Sequence, residues 1–342
     1  MLRRFLCLSV LLSAIWLMNP VTAMAGGDDS DKTGFIMHHI KDSYEWHFAT
    51  FGDTHLTLPL PVIIYSSDKG LQFFSSSNFQ DPVTHKFGEA FAHEGYFIDE
   101  HEHLFSVDGS SFVDLSITKN VAMMFLVLIV MISFVLSAAS NYKKNGVAAP
   151  KGAAALLEPI VVFVRDEIAY KAIGPKYKKF LPYLLTLFFF IWIGNLMGLM
   201  PGAANLTGNI AVTMTLAVLT FIVVNTNGNK DYWKHVFMTP GVPVPLLLVI
   251  VPVEIIGLFT KPFALMVRLF VAITAGHIVI LAFIALVFIF ESYAIGVVST
   301  LMVTFLNVIE LLVATIQAYV FTLFSAMYIG GAVAEHAHDD HH

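Results

Sequence analysis

Cysteine occurs once in 342 residues, as Cys7, and charged residues make up only 13% of the chain. Cys7 lies in a segment read below as removed on export, so the mature chain is expected to have no disulfide and no thiolate metal site. The formal net charge of −6 leaves no basic excess to displace counterions from a phosphate backbone, which excludes a nucleic-acid partner. There is no G-x-x-x-x-G-K-[ST] pattern, so nucleotide chemistry would have to belong to another chain, and no cofactor is implied. Proline is missing from the last apolar stretch, 294–333, whose glycines cluster at its two ends.

What is abundant is apolar: 57% of residues are hydrophobic, and the mean hydropathy is +0.74. A soluble domain could not cover itself with polar surface at that composition, so lipid is the solvent for most of the chain. Residues 1–25 read as a signal peptide, with Arg3 and Arg4 before an apolar run and small residues at Ala23 and Ala25. Residues 26–119 are polar, aromatic and rich in histidine. Alternating stretches such as Leu56 to Tyr65 suggest short strands, and Asp108-Gly109 suggests a tight turn. This is expected to be an exported, periplasmic domain. Residues 120–342 form the membrane domain.

Apolar stretches able to cross a bilayer occur at 121–140 and 180–200, with a shorter one at 210–224, and two long ones follow at 244–290 and 294–333. At ~1.5 Å per residue each long stretch is roughly twice the ~30 Å hydrocarbon core, so each must tilt strongly or fold back. For the last, free of proline, a single oblique helix is favoured over a hairpin. Between Leu156 and Ile173 the apolar Leu157, Ile160, Val161, Val164 and Ile168 recur at helical spacing, which predicts an amphipathic helix on the membrane surface. The expected fold is an all-α polytopic membrane protein with five crossing helices, the last two long and tilted, and a small extramembrane N-terminal domain with some β structure.

Basic residues set the orientation, because cytoplasmic loops carry their excess. Residues 141–179 hold eight of them, including Lys143, Lys144 and Arg165, and residues 225–241 hold Lys230 and Lys234. The connections at 201–209 and 291–293 hold none. With five crossings the N-terminal domain lies outside and the C-terminus inside, as the signal peptide independently requires.

Several ionisable residues interrupt the membrane stretches. Arg268 sits within Leu265-Met266-Val267-Arg268-Leu269-Phe270, where a central arginine costs about 2.5 to 3.5 kcal/mol on insertion scales. Glu254, fourteen residues earlier, shares its helix face if Pro262 does not disrupt the helix, but it lies about 21 Å away, too far to pair. His277 points away from the arginine's face. On the next helix Glu310 and Gln317, seven residues apart, make one polar stripe. Glu310 and His277 both fall toward the outer side, where an acid and an imidazole suit a proton relay or a static ion pair.

Taken together, these residues resemble subunit a of the rotary F-type ATP synthase, the stator half of its proton channel. The resemblance covers about 156–333. It rests on Arg268-Leu269-Phe270 with Ala275-Gly276-His277, on Glu310 with Gln317-Ala318, on the run from Gly194 to Pro201 that includes Asn195, and on Glu254 upstream of Lys261-Pro262. It implies that Arg268 faces a ring of c subunits and meets a carboxylate on each passing helix. A guanidinium stays protonated, so it attracts that carboxylate without itself carrying protons, and separates two aqueous half-channels. The resemblance places His277, Glu310, Gln317 and the additional contributor Asn195 on the outer half-channel and Glu254 near the inner one. It further implies a b-subunit peripheral stalk, the rest of the F1Fo assembly, a bacterial inner membrane, protons rather than sodium as the ion, and no catalysis by this chain alone. Many family members carry glutamate at the position of His277 and histidine at that of Glu310, so the pair is exchanged here. Val271-Ala272 also replaces a common Gly-Asn. The alternatives are a secondary transporter, which would show two matching halves not seen here, and a noncatalytic scaffold. The histidines outside the membrane stretches, His38, His39, His101, His103, His336, His338, His341 and His342, lack a recognised metal spacing and read as solvated polar surface.

Overall fold

The computed structural model describes residues 42–51, 54–81, 87–99, 102–145, 152–200, 202–238, 243–290 and 292–334. The signal-peptide segment, and every histidine named above outside the membrane stretches except His103, lie outside these residues. The chain divides into two compact units, one formed by the N-terminal region to Leu126 with 197–206 and 276–309, the other by 127–196, 207–275 and the chain from Glu310 onward.

In the first unit the sequence alternates apolar and polar residues between turns, and strands follow. These are β1 (Glu45–Phe51), β2 (Thr54–Pro59), β3 (Pro61–Ser66), β4 (Gly70–Ser75), β5 (Tyr96–Ile98), β6 (Leu104–Ser106) and β7 (Phe112–Asp114). β1 pairs with β2, β5 with β6, and β3 lies between β4 and β7, all antiparallel. Along β3 the inward positions Val62 and Ile64 are fully buried and Tyr65 points out, the period of two that strand geometry requires. They pack with Tyr44, Phe79, Tyr96, Ile98 and Leu104 in a small core. The expected turn is present, with Gly109 at positive φ donating its N–H to the Ser106 carbonyl. Asp42 joins this region to the first membrane helix by accepting from the Asn120 N–H at 3.0 Å and the Thr118 hydroxyl at 2.8 Å.

Tyr44 donates its hydroxyl to Asp114, and burial followed by that carboxylate holds the phenol well above its usual range. A raised phenol contributes stability that is complete below its unfolded value and is lost as pH rises beyond it. Spectrophotometric titration should therefore show one tyrosine that ionises only as the domain unfolds in alkali, and Tyr44→Phe should remove that phase.

The helices are α1 (Lys119–Asn145), α2 (Ala153–Phe163), α3 (Tyr177–Gly198), α4 (Ile210–Thr226), α5 (Lys230–Phe237), α6 (Val244–Phe290) and α7 (Tyr293–Val333). Among the described residues, four helical stretches are long and apolar enough to cross a membrane, and α4 with α5, bent by 104°, makes a fifth if counted as one span. Both long stretches are continuous helices. α6 runs through Pro252 and Pro262 without a break, so neither lost N–H suffices to end a helix whose polar backbone has no water to turn to.

The amphipathic segment departs from a regular helix. After α2 the chain widens into a π-helix at Val164–Tyr170 and then resumes a short α-turn at Lys171–Ile173. The wider turn adds Ala169 to the inward face that helical spacing predicts, on which Leu157, Val164 and Ile168 are buried. Within the second unit this segment packs on α7, with the rings of Phe163 and Tyr319 5.7 Å apart. At its end a Cβ on Gly330 would lie 2.0 Å from the Ala172 carbonyl oxygen. Backbone cannot yield as a flexible side chain does, so Gly330→Ala should cost about 1–3 kcal/mol or more, read as a marked drop in folded protein recovered from membranes. The last carbonyls of α7 are capped by Asn229, whose N–H and Nδ2 donate to Ala332 and Val333 at 2.9 and 2.8 Å. This satisfies acceptors that a helix end otherwise leaves open.

Candidate functional site

Because α6 stays helical past Pro262, residues seven apart remain on one face with a drift of about 20° per step. Glu254, Lys261 and Arg268 obey that spacing, and on α7 so do Glu310, Gln317 and Phe324. The two stripes meet in the second unit. The Arg268 guanidinium carbon lies 4.2 Å from the centroid of the Phe324 ring, and the Lys261 ammonium lies 5.8 Å from that of Tyr328. Both distances fall within cation–π range. The two rings, one turn apart, are themselves 6.1 Å apart.

Arg268 is solvent-exposed in the isolated chain, and among the described residues no acid forms an ion pair with it. Its charge is stabilised by an aromatic face but not neutralised. Glu254 is partly exposed toward α5, where His235 Nδ1 lies 4.0 Å from its carboxylate.

Between these two levels α6 borders a small cavity of about 20 Å³ lined by Thr220, Asn225, Tyr232, Lys261, Leu265 and Tyr328, among others. Lys261 and Leu265 fall between Glu254 and Arg268 in the helix, so the cavity lies within the interval separating those charges. Its wall is mainly apolar, and beside it the Tyr232 hydroxyl donates to Asn225 Oδ1 at 3.3 Å.

Glu310 is buried and Gln317 half-buried on α7. Asn195 is buried on α3, where its Nδ2 donates to the Ala314 carbonyl at 3.3 Å and its Oδ1 accepts from the Thr207 hydroxyl at 2.6 Å. Ala314 lies between Glu310 and Gln317, so Asn195 fixes α7 where those side chains emerge. Trp192 adds a second tie, donating from Nε1 to Thr315 Oγ1 at 3.1 Å. His277 lies in the part of α6 that belongs to the first unit, half-buried there.

Four residues of this site, His235, Tyr232, Phe324 and Tyr328, are not singled out by the sequence, which marks Lys261 only as part of the family resemblance. Heptad spacing from Arg268 and Gln317 would have reached Lys261 and Phe324. Nothing local marks His235 or Tyr232, which come from the separate helix α5.

The family described as ATP synthase A chain matches residues 121–330. The chain belongs to that family. A second family, described only as a domain of unknown function, matches residues 35–123. ATP synthase subunit a of Chloroherpeton thalassium is 44% identical over 260 residues, covering 72% of this chain and 77% of that protein. The protein of the same name from Pelodictyon phaeoclathratiforme is 42% identical over 329 residues, 94% of this chain and 82% of the relative. That of an Anaeromyxobacter species is 39% identical over 326 residues, 92% and 74% respectively. These are bacterial proteins, and this chain, as a member of the family, is a noncatalytic, multi-pass membrane subunit. Nothing in these relatives supports the alternative of a secondary transporter.

Proposed function

We propose that this subunit translocates protons in the Fo sector of an F-type ATP synthase, with Arg268 separating two half-channels at the surface of a c-subunit ring. The observation that carries the reading is an exposed arginine within an apolar helix that no acid among the described residues neutralises, with Glu254 two heptads away on the same helix. A proton entering from the periplasm passes His277, Glu310 and Gln317 to reach a ring carboxylate. It leaves that carboxylate into the inner half-channel and exits past Glu254. Asn195 contributes by holding α7 rather than by carrying the proton.

Arg268 blocks direct passage between the halves because a guanidinium does not release its proton at physiological pH. Its charge also favours the deprotonated carboxylate, so the ring site stays ionised while it passes from one half-channel to the other. The membrane potential supplies about 2.3 kcal/mol per charge per 100 mV. In this proposal the N-terminal domain at 26–119 is periplasmic after removal of residues 1–25, the membrane domain at 120–342 lies in the bacterial inner membrane, and the C-terminus is cytoplasmic. A b-subunit stalk and the remaining F1Fo subunits complete the partners.

The first test is mild detergent extraction of the tagged chain. Copurification with an oligomeric ring of small hydrophobic subunits, each bearing a membrane carboxylate, is the expected result. Recovery of the chain in an active transport complex without such a ring would overturn the proposal.

A further inference from the structure

Arg268 is a cation in an apolar helix, yet within its own chain it rests on an aromatic ring rather than a carboxylate. We infer that Phe324 is a positioning residue for Arg268, holding the guanidinium at the α6–α7 seam through its ring face while leaving the charge and its N–H donors open to an incoming carboxylate. This inference rests on the reading of Arg268 as the separator.

Three kinds of neighbour could support an arginine in this setting. An acid of the same chain would bind the guanidinium bidentately and neutralise it, so a ring carboxylate would have to displace it. An aliphatic neighbour would leave a long, flexible side chain free to seek water, since arginine readily extends its charged head toward an interface. An aromatic face attracts the cation through its quadrupole but accepts no conventional hydrogen bond, so the five N–H donors remain available.

The surroundings fit the third case. Phe324 and Tyr328 sit one turn apart on α7, while Arg268 and Lys261 sit two turns apart on α6. Each cation lies over one ring, Arg268 at 4.2 Å and Lys261 at 5.8 Å. The pairing runs in opposite chain directions, as two successive antiparallel helices require. Phe324 also continues the stripe of Glu310 and Gln317, so the ring lies at the end of the polar positions proposed to deliver the proton.

The test uses the assembled ATP synthase in inverted vesicles, with phenylalanine at 324 replaced by its mono-, di- and trifluorinated analogues. Fluorination drains the ring's negative face while nearly preserving its shape. ATP-driven acidification per assembled complex should fall stepwise, by about threefold to tenfold at the trifluoro analogue. Phe324→Tyr should retain the rate, and Phe324→Leu should lose it to a similar or greater extent. Wild-type acidification with the trifluoro analogue would overturn the inference, because a purely space-filling ring is insensitive to its quadrupole. So would a loss in Phe324→Tyr equal to that in Phe324→Leu. Arg268→Ala is run in parallel. If it abolishes pumping while fluorination changes nothing, only the role of Phe324 fails. If Arg268→Ala also pumps normally, the separator reading fails first.

Discussion

Replacing Arg268 with alanine should abolish ATP-driven acidification of inverted vesicles, reducing it by at least about a hundredfold. That magnitude follows from losing one partner of a desolvated ion pair, about 3–5 kcal/mol, at 1.36 kcal/mol per factor of ten. Two consequences are expected together. The ring carboxylate loses the cation that keeps it ionised between half-channels, so rotation stalls. The barrier between the half-channels disappears as well, so passive proton leak through vesicles stripped of the catalytic sector should rise. Arg268 is exposed in the isolated chain, and its truncation opens no core cavity, so assembly should survive and the loss can be read as functional. Arg268→Lys sharpens the test. It keeps the charge but replaces a planar five-donor fork by a compact ammonium that can deprotonate when desolvated, so pumping should stay at least about tenfold below wild type. Undiminished pumping by Arg268→Ala would remove the separator role altogether.

The second large effect concerns the outer side. Glu310→Gln should lower ATP-driven pumping by at least about tenfold, since an amide of the same shape neither releases nor takes up a proton at neutral pH. His277→Gln should act in the same direction. The more decisive variant exchanges the two, His277→Glu with Glu310→His. Acid and imidazole are both retained, in the arrangement that the family resemblance attributes to many other members. The double variant should recover most of the activity that each half of the exchange loses when made alone, because the single changes leave two acids or two imidazoles. Two acids oppose each other's ionisation, and two imidazoles oppose each other's protonation. Non-additivity is the measured quantity. Strictly additive losses in the double variant would show that the two positions act independently, and the relay would have to be abandoned.

Much of the architecture could be read from the chain before any coordinates. Uninterrupted apolar stretches located α1, α3, α4, α6 and α7 to within a few residues, since the bilayer sets a minimum length and the backbone must satisfy its own hydrogen bonds there. The lack of proline at 294–333 correctly favoured one continuous helix. Alternation at 56–65 anticipated β2 and β3. The polar stripes followed from helical angle alone, because residues on one continuous helix keep a fixed angular relation wherever that helix packs.

Other features arose only on packing. The π-helix at Val164–Tyr170, which adds Ala169 to the inward face, and the fit of the segment against α7, with no room for a Cβ on Gly330, are not marked in the sequence. The amide of Asn195 joins α3 to α7, a contact that no local pattern marks. No acid on its own helix is near enough to pair with Arg268, and the ring it rests on, Phe324, lies 56 residues later in the chain. The sequence by itself determined which residues lie on each helix face, and which charge has no counter-ion along its own helix. Only the tertiary structure decided which ring supports that charge and where the cavity beside it opens, because these depend on the rotation and crossing of separate helices, which the periodicity of neither one specifies.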